Sequence, residues 1–334
     1  MTVDARDPLA GEVRVVTTTD GTRIHTVSAG TGPTVVLAHG FAIDSTEWNV
    51  IAADLVERGY RIVAFDQRGH GRTSVGTDGL GSLQMAGDYV AVLEAYDVTD
   101  GVLVMHSMGG FVGVRFLVEN PEVVAQRLRG AMLVATFAGD VNRDNPQNKM
   151  QIPLIRSGIL PRLVRSDLVG KPFARTLMGD SKTEAMVESF LTMFRAQDLG
   201  ALVPILEAMV QENRYPDLAG ISLPCTSLVG SKDKTTPPFH TDALHAGIAG
   251  SRLVRVPGAL DGGWPTIIDA AFLKRGERAG FKALAAASAA PFPILDCRGS
   301  LPFLRRRIEA RQVRGGDASE ADVAVLYRLA TAVE

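Results

Sequence analysis

The sequence contains only two cysteines among its 334 residues, Cys225 and Cys297, and they stand too far apart to form a metal-binding or redox motif. We expect both to be buried thiols in a reducing compartment. Charge of one sign is not in excess either, since 35 basic residues stand against 37 acidic ones and leave a net charge of -2. This balance excludes the basic field that attracts nucleic acids and anionic membranes, so local sites must define the partners.

Long hydrophobic runs are also missing. The longest stretch without a charged residue, residues 24–43, contains histidine, glycine and proline, which do not fit a membrane span. The first residues lack the basic and then apolar pattern of a signal peptide. We therefore expect a cytoplasmic protein whose partner is a small molecule, with no nucleic-acid and no membrane partner.

The first half of the sequence alternates short apolar runs with longer helical patterns. This alternation is typical of strand-helix-strand units and predicts an α/β protein with a mostly parallel twisted sheet flanked by helices. Strands are predicted at residues 13–16, 23–27, 33–38, 61–65, 101–105, 131–135, 224–230 and 251–256, the first two as a hairpin. Helices are predicted near residues 48–58, 83–95 and 109–119. Ligands of such sheets bind at the carboxyl ends of the strands, so the chemistry is expected in the loops there.

The pattern changes between residues 140 and 217. This stretch contains amphipathic helical segments, such as residues 184–195 and 202–210, which prolines interrupt. We interpret residues 140–217 as a helical cap inserted into an α/β core that comprises residues 1–139 and 218–260. Such a cap buries one face on the sheet and can roof a pocket.

The most informative segment is a predicted strand that runs directly into a helix through Ser107, which small residues flank. So sharp a turn strains the serine and exposes its Oγ above the edge of the sheet. Residues 39–41, His-Gly-Phe, follow an earlier strand. The backbone N–H groups of Phe41 and Met108 can therefore point to the same place and form an oxyanion hole.

These motifs resemble the α/β-hydrolase fold family, which includes carboxylesterases, lactonases, C–C bond hydrolases and cofactor-free haloperoxidases. Residues 39–41 match its oxyanion loop, residues 66–73 match its Asp-x-Arg-Gly-His-Gly loop, and residues 106–110 match its nucleophile elbow. The resemblance covers about residues 13–259. It implies a serine hydrolase of carboxylic esters or related acyl substrates, with no cofactor and no metal.

The resemblance also assigns the acid of a catalytic triad. Residues 230–237, which follow a predicted strand, resemble the family loop that carries this acid and make Asp233 the candidate. The mechanism implied is acyl transfer through an ester of Ser107, followed by attack of water. A serine at the elbow argues against dehalogenase and epoxide-hydrolase chemistry, for which the family uses an aspartate.

Two departures from the family pattern affect the expected activity. Met105 replaces the glycine two residues before the nucleophile, where a side chain has little room and is expected to distort the elbow. Asp261 stands where the family has its triad histidine, and no histidine follows. A carboxylate with a pKa of about 3.9 is a poor base for a serine hydroxyl unless burial raises that pKa. We therefore expect an impaired hydrolase, with a non-catalytic small-molecule-binding protein as the alternative.

Another histidine of the chain is an alternative to the missing triad histidine, and we expect this alternative less than an enzyme without an efficient base. His39, His70 and His106 lie near the motifs, where we expect them to brace loops or line the pocket. His240 and His245 fall on the helix predicted after the Asp233 loop, and we expect them to face the surface or the cap.

The last part of the sequence no longer resembles a hydrolase. Residues 261–334 resemble the carboxyl-terminal part of P-loop small-molecule kinases, although the chain contains no Gly-x-x-x-x-Gly-Lys-Ser/Thr loop to hold a phosphate. We interpret this segment as a fused, kinase-like extension without kinase activity, joined to the hydrolase part near residues 259–262.

Overall fold

The structure is a computed structural model that describes residues 11–178 and 183–256. Eight strands, β1 to β8, cover Glu12–Thr17, Arg23–Ala29, Thr34–Ala38, Arg61–Phe65, Gly101–His106, Leu128–Val134, Cys225–Gly230 and Arg252–Val256. They form one sheet in the order β1-β2-β4-β3-β5-β6-β7-β8. The β1–β2 and β2–β4 pairs are antiparallel and the other five pairs are parallel. The predicted fold class, including the opening hairpin, is confirmed.

Within the described residues, ten α-helices accompany the sheet. In chain order, α1 to α10 cover Asn49–Glu57, Ser82–Ala95, Met108–Glu119, Pro121–Arg127, Pro146–Arg156, Ile159–Val164, Asp167–Thr176, Glu184–Ala196, Val203–Gln211 and Pro238–Gly247. Two short 3-10 helices lie at Ser45–Trp48 and Tyr215–Gly220. The three helices predicted in the first half correspond to α1, α2 and α3.

The hydrophobic core has two parts because successive strand residues point to opposite faces of the sheet. On β3, Leu37 packs with Trp48 and Ile62 on the face that α1 covers. Val36, its neighbour on the same strand, belongs to the larger part, which contains the buried residues of α2 and α3. The sheet is therefore covered by helices on both faces, as its parallel strands require.

The chain between β6 and β7 forms helices α5 to α9, so the predicted helical character of residues 140–217 is confirmed. Two sets of polar contacts tie this helical segment to the loops beside the sheet. The Gln197 Oε1 accepts a hydrogen bond from the Gly71 N–H at 2.9 Å. The Asn145 Nδ2 donates to the carbonyl oxygens of Lys234 and Thr235, both at 2.9 Å. The division into a core and a cap with the stated bounds stays a prediction.

Three sequence predictions fall outside the described residues. They are Asp261 as the occupant of the histidine position, Cys297 as a buried thiol, and the kinase-like extension at residues 261–334. The other cysteine, Cys225, is buried, and burial raises the pKa of its thiol to about 11. Among the helices in residues 11–178 and 183–256, none combines the length and apolarity needed to cross a membrane.

Candidate active site

Ser107 lies at the junction of β5 and α3 with a backbone conformation that is rare for a residue with a side chain. Its φ is 50° and its ψ is -116°, a positive φ that costs about 1–3 kcal/mol and persists only where its surroundings enforce it. Hydrogen bonds to its backbone groups do so. The Ser107 N–H donates to the Val134 carbonyl at 3.0 Å, while its own carbonyl accepts from the Thr136 Oγ1 at 2.5 Å and from the Gly110 N–H at 2.9 Å. The sharp strand-to-helix turn predicted around Ser107 is thus present.

The methionine two residues before Ser107 fits because the helix facing it carries a glycine. The side chain of Met105 is fully buried, and a Cβ added at Gly113 would lie 2.0 Å from its Sδ. A Cβ added at Gly109 would lie 2.7 Å from the carbonyl oxygen of His39. Helix α3 therefore packs directly on the neighbouring strands, and Gly113 provides the room that the sequence analysis expected to be lacking.

The loop after β3 is held by a chain of buried hydrogen bonds. The His39 Nε2 accepts from the Gln67 N–H at 2.9 Å, so its Nδ1 carries the proton and donates to the Gly40 carbonyl at 2.7 Å. The Gln67 side chain donates to the His39 carbonyl at 2.5 Å and accepts from the Tyr89 hydroxyl at 3.1 Å. These contacts fix the backbone that leads into Phe41, whose N–H is a predicted oxyanion donor.

Asp233 is buried in the loop between β7 and α10. One oxygen of its carboxylate accepts from the N–H groups of Thr235 at 2.9 Å and Thr236 at 2.8 Å, and the other accepts from the Thr236 hydroxyl at 2.8 Å. These contacts orient the carboxylate within its own loop, and the role of Asp233 as the acid of a triad stays a prediction.

A mostly apolar cavity connects these elements. Its empty volume is about 860 Å³, including its opening to solvent. Ser107 and Phe41 line it, and so do the Asp233-loop residues Thr235 and Thr236. Its apolar wall includes Phe137, Ile152, Phe173, Phe190, Phe194 and Leu206. The structure therefore brings Ser107 and Phe41 to one cavity and places Met108 beside Ser107 as the first residue of α3.

His240 and His245, which were considered as replacements for the missing base, do not line the cavity. His240 is completely buried and therefore does not face the surface, whereas its contact with Tyr215, a residue of the segment 140–217, agrees with the alternative that it faces the predicted cap. Its Nδ1 lies 2.5 Å from the Tyr215 hydroxyl and its ring packs 5.8 Å from that of Phe137. Burial, together with the charge of Arg143, lowers the pKa of His240 to about 4. His245 is exposed and bonds to Ser251.

His70 belongs to the loop that follows β4, and His25, on β2, contacts the same loop. The His25 Nδ1 lies 3.4 Å from Asp66, whose pKa lies well below its ordinary value because hydrogen bonds to the charged form outweigh the opposing effect of burial. The His70 Nδ1 donates to the Arg68 carbonyl at 3.1 Å, and burial lowers the pKa of His70 to about 3. Both rings brace this loop, as expected for His70.

Two residues near the cavity were missed by the sequence analysis. Glu47 is buried beside His106 and the loop at Gly40. Asn148, on the first turn of α5, lines the cavity and donates to the Thr235 carbonyl at 3.0 Å. Nothing local in the sequence marks either residue, because their partners His106 and Thr235 are distant in the chain. No group of three or more metal-binding side chains occurs in the part of the chain that the structure describes.

Comparison with known proteins identifies the family. A profile of the alpha/beta hydrolase family matches residues 35–267, so the chain belongs to this family. The non-heme chloroperoxidase CPO-A1 of Kitasatospora aureofaciens is 27% identical over 230 residues, which are 67% of this chain and 82% of that protein. The non-heme haloperoxidase of Rhodococcus erythropolis is 26% identical over 232 residues, 66% of this chain and 82% of that one.

Solved structures agree on the fold. An esterase of Exiguobacterium antarcticum superposes with a TM-score of 0.67 at 22% identity, and the match covers 84% of this chain and all of that one. A bromoperoxidase of Bacillus anthracis gives a TM-score of 0.65 at 19% identity, with coverages of 83% and 99%. The family and its esterase-like members support the predicted hydrolase class.

A second profile, for an AAA domain, matches residues 231–334 and overlaps the first at residues 231–267. The described part of this match does not fit a bound phosphate. The N–H groups of Thr235 and Thr236 already donate to the Asp233 carboxylate. The following helix begins after Pro237 with Pro238, and neither proline has an N–H to offer to an anion.

Proposed function

We propose that the protein is a serine hydrolase of carboxylic esters or related acyl compounds. The Ser107 Oγ attacks the carbonyl carbon, and the N–H groups of Phe41 and Met108 bind the oxygen that becomes negative. The Oγ gives up its proton as its bond to the carbonyl carbon forms, the bond to the leaving oxygen breaks, and the alkoxide or phenoxide departs and takes up a proton. Water then cleaves the acyl–Ser107 ester, which releases the carboxylic acid and restores the serine hydroxyl. The observation that carries this proposal is the positive φ of Ser107 at the start of α3, on the wall of the cavity.

The cavity favours substrates with an apolar acyl group. Three phenylalanines from α7 and α8, Phe173, Phe190 and Phe194, form a cluster whose ring centroids lie 5.5–6.4 Å apart. Phe137 and Phe41 add aromatic surface from the loops beside the sheet. Polar groups are few there, so the binding of an acyl chain would depend mainly on burial of apolar surface.

The side chains around Ser107 support low activity. All six histidines of the chain lie in the described residues, and of these only His106 lines the cavity, where its ring lies against the carboxylate of Glu47. We infer that the step which removes the serine proton lacks its usual base, with Asp261 the candidate for a weak replacement.

The same observations favour a second candidate, a non-catalytic protein that binds an apolar small molecule in the cavity. A protein without an efficient base retains the pocket and the oxyanion donors, both of which bind carbonyl compounds. Retention of a ligand without turnover would favour this candidate.

Ester kinetics test the proposal. We expect slow hydrolysis of an aryl acetate, which needs little acid catalysis for its leaving group, and near inertness toward an ethyl ester. Loss of the triad histidine typically removes about 10⁶-fold of kcat and leaves roughly 10³–10⁴ over water. Ser107→Ala should abolish the labelling by a fluorophosphonate and lower the aryl acetate activity to what the oxyanion donors and binding alone provide, whereas exposed Ser157→Ala should change neither.

Two outcomes would contradict this reasoning. Aryl acetate turnover in Ser107→Ala that equals that of the wild type, or labelling that persists in this variant, would overturn the role of the serine. Efficient, Ser107-dependent cleavage of the ethyl ester would show that a competent base is present.

A further inference from the structure

A carboxylate lies buried directly beside the two segments that carry the proposed oxyanion donors. The side chain of Glu47 has no exposed surface. Its Oε2 accepts a hydrogen bond from the Gly40 N–H at 3.2 Å, and its Oε1 lies against the Nδ1 of His106. A carboxylate withdrawn from water persists only where such partners compensate for its lost hydration.

The turn that carries Glu47 is fixed on both sides. Its first residues are held by two carboxylates, because Asp44 accepts from the Thr46 N–H at 3.0 Å and Asp66 accepts from the Ser45 N–H at 2.9 Å. Trp48, which ends the turn, is 1% exposed and packs in the core part that covers one face of the sheet. The position of the Glu47 carboxylate is therefore set by the fold.

Glu47 joins the two halves of the proposed oxyanion hole. Gly40 directly precedes Phe41, and His106 directly precedes Ser107, so the two oxygens of one carboxylate contact both segments. The segments are also in close contact with each other, since a Cβ added at Gly40 would lie 3.0 Å from the Nδ1 of His106. A shift of Glu47 would be transmitted to both donors.

We propose that Glu47 is a positioning residue that sets the distance between the Phe41 and Met108 N–H groups. This role rests on the proposed function, because it concerns the same oxyanion hole. Donors stabilise an oxyanion in proportion to how well they are oriented before the charge develops.

The test combines kinetics with a measurement that does not need turnover. Three full-length variants are compared with the wild type, namely Glu47→Ala, Glu47→Gln and, as a matched control, Glu57→Ala, whose side chain is exposed on α1. The readouts are kcat and KM on an aryl acetate, the rate of fluorophosphonate labelling, and amide hydrogen exchange at Gly40 by NMR, with Leu37 on β3 as an internal reference.

The expected results separate positioning from general stability. Glu47→Ala should lower kcat and the labelling rate by about 10²-fold, the effect of losing one oxyanion donor, with KM changed less than twofold. Exchange at Gly40 should become at least tenfold faster than in the wild type while that at Leu37 stays the same. Glu47→Gln retains an oxygen for the Gly40 N–H and should stay within tenfold of the wild type, and Glu57→Ala should equal it.

The failures are distinguishable. If the fluorophosphonate labels the wild type but Glu47→Ala leaves kcat unchanged, the role of Glu47 is overturned and the proposed function stands. A loss of kcat without a change in hydrogen exchange at Gly40 has the same meaning. A wild type that the fluorophosphonate does not label overturns the proposed function and this role with it.

Discussion

The fit between Met105 and Gly113 makes a quantitative prediction about how this chain tolerates a side chain at the nucleophile elbow. Truncation of the fully buried Met105 to alanine should cost about 2–5 kcal/mol of unfolding free energy. Gly113→Ala places a methyl group 2.0 Å from the Met105 sulfur. This overpacking costs about 1–3 kcal/mol, against which the higher helix propensity of alanine returns about 1 kcal/mol.

The two changes should compensate when they are combined. In the Met105→Ala background the Sδ is absent, so the methyl group of Gly113→Ala fills part of the space that the methionine side chain has left. The higher helix propensity of alanine then stabilises the protein without an opposing clash. Gly113→Ala is then expected to stabilise by about 1–2 kcal/mol. The double-mutant cycle should therefore give a coupling energy of about 1–4 kcal/mol, which overlaps the range for side chains in direct contact.

Urea unfolding of the four proteins, followed by far-UV circular dichroism, measures this cycle. Gly87→Ala is the matched control, because Gly87 lies exposed on α2 and a Cβ there meets nothing within 4 Å. That control should stabilise by about 0.5–1 kcal/mol in either background. Additivity of Met105→Ala and Gly113→Ala within about 0.5 kcal/mol would refute the idea that the two positions accommodate each other.

Two further predictions concern polar groups around the cavity. Asn148→Ala removes the hydrogen bonds to the carbonyls of Val141 and Thr235 and should lower the free energy of unfolding in urea by about 2 kcal/mol. Lys149→Ala, at the exposed neighbouring position, should lower it by less than about 0.5 kcal/mol. Equal effects of the two substitutions would contradict this prediction. His240 has a folded-state pKa of about 4, below its ordinary 6.5, so the stability it contributes is full above pH 6.5 and falls by about 3 kcal/mol as the pH drops through 4. His240→Gln should weaken the dependence of the urea midpoint on pH between 7 and 4.5, whereas His245→Gln, at an exposed position, should leave it unchanged. A wild-type midpoint that is constant over this range would disprove the lowered pKa of His240.

The sheet could be predicted because its strands are short, apolar and separated by clear helical patterns. The run at residues 33–38 was predicted as a strand, and the structure has β3 at Thr34–Ala38. The elbow was predictable for a different reason, since the strand, the serine and the small residues of the helix are contiguous in sequence. Local signals of this kind do not depend on which distant residues pack against them.

His240 shows where local signals stop being sufficient. A histidine on a helix suggests a position at the surface or against the cap, yet His240, Thr241 and Leu244 together form the buried face of α10. The partner that makes burial of the ring tolerable is Tyr215, which is 25 positions earlier in the chain. Periodicity based on apolar residues cannot detect a buried face that is partly polar.

The position of Glu47 was hidden for the same physical reason. A glutamate is rarely buried without partners, and its partners come from two strands that become neighbours only in the folded sheet, since β3 pairs with β5. Gly40 and His106 therefore approach the same carboxylate although they lie far apart in sequence. The sequence alone contains no pattern that links these three positions.

The parts of the site differ in what they require from the fold. Backbone donors such as those proposed at Phe41 and Met108 need only the paired strands and the start of α3, so they tolerate many side-chain changes. A base requires one side chain with a suitable pKa at one position. The histidines near the cavity are committed to other contacts, His39 with Gly40 and Gln67, and His106 with Glu47. We therefore expect the leaving group to decide turnover, because a good leaving group depends on the backbone donors and a poor one on the base.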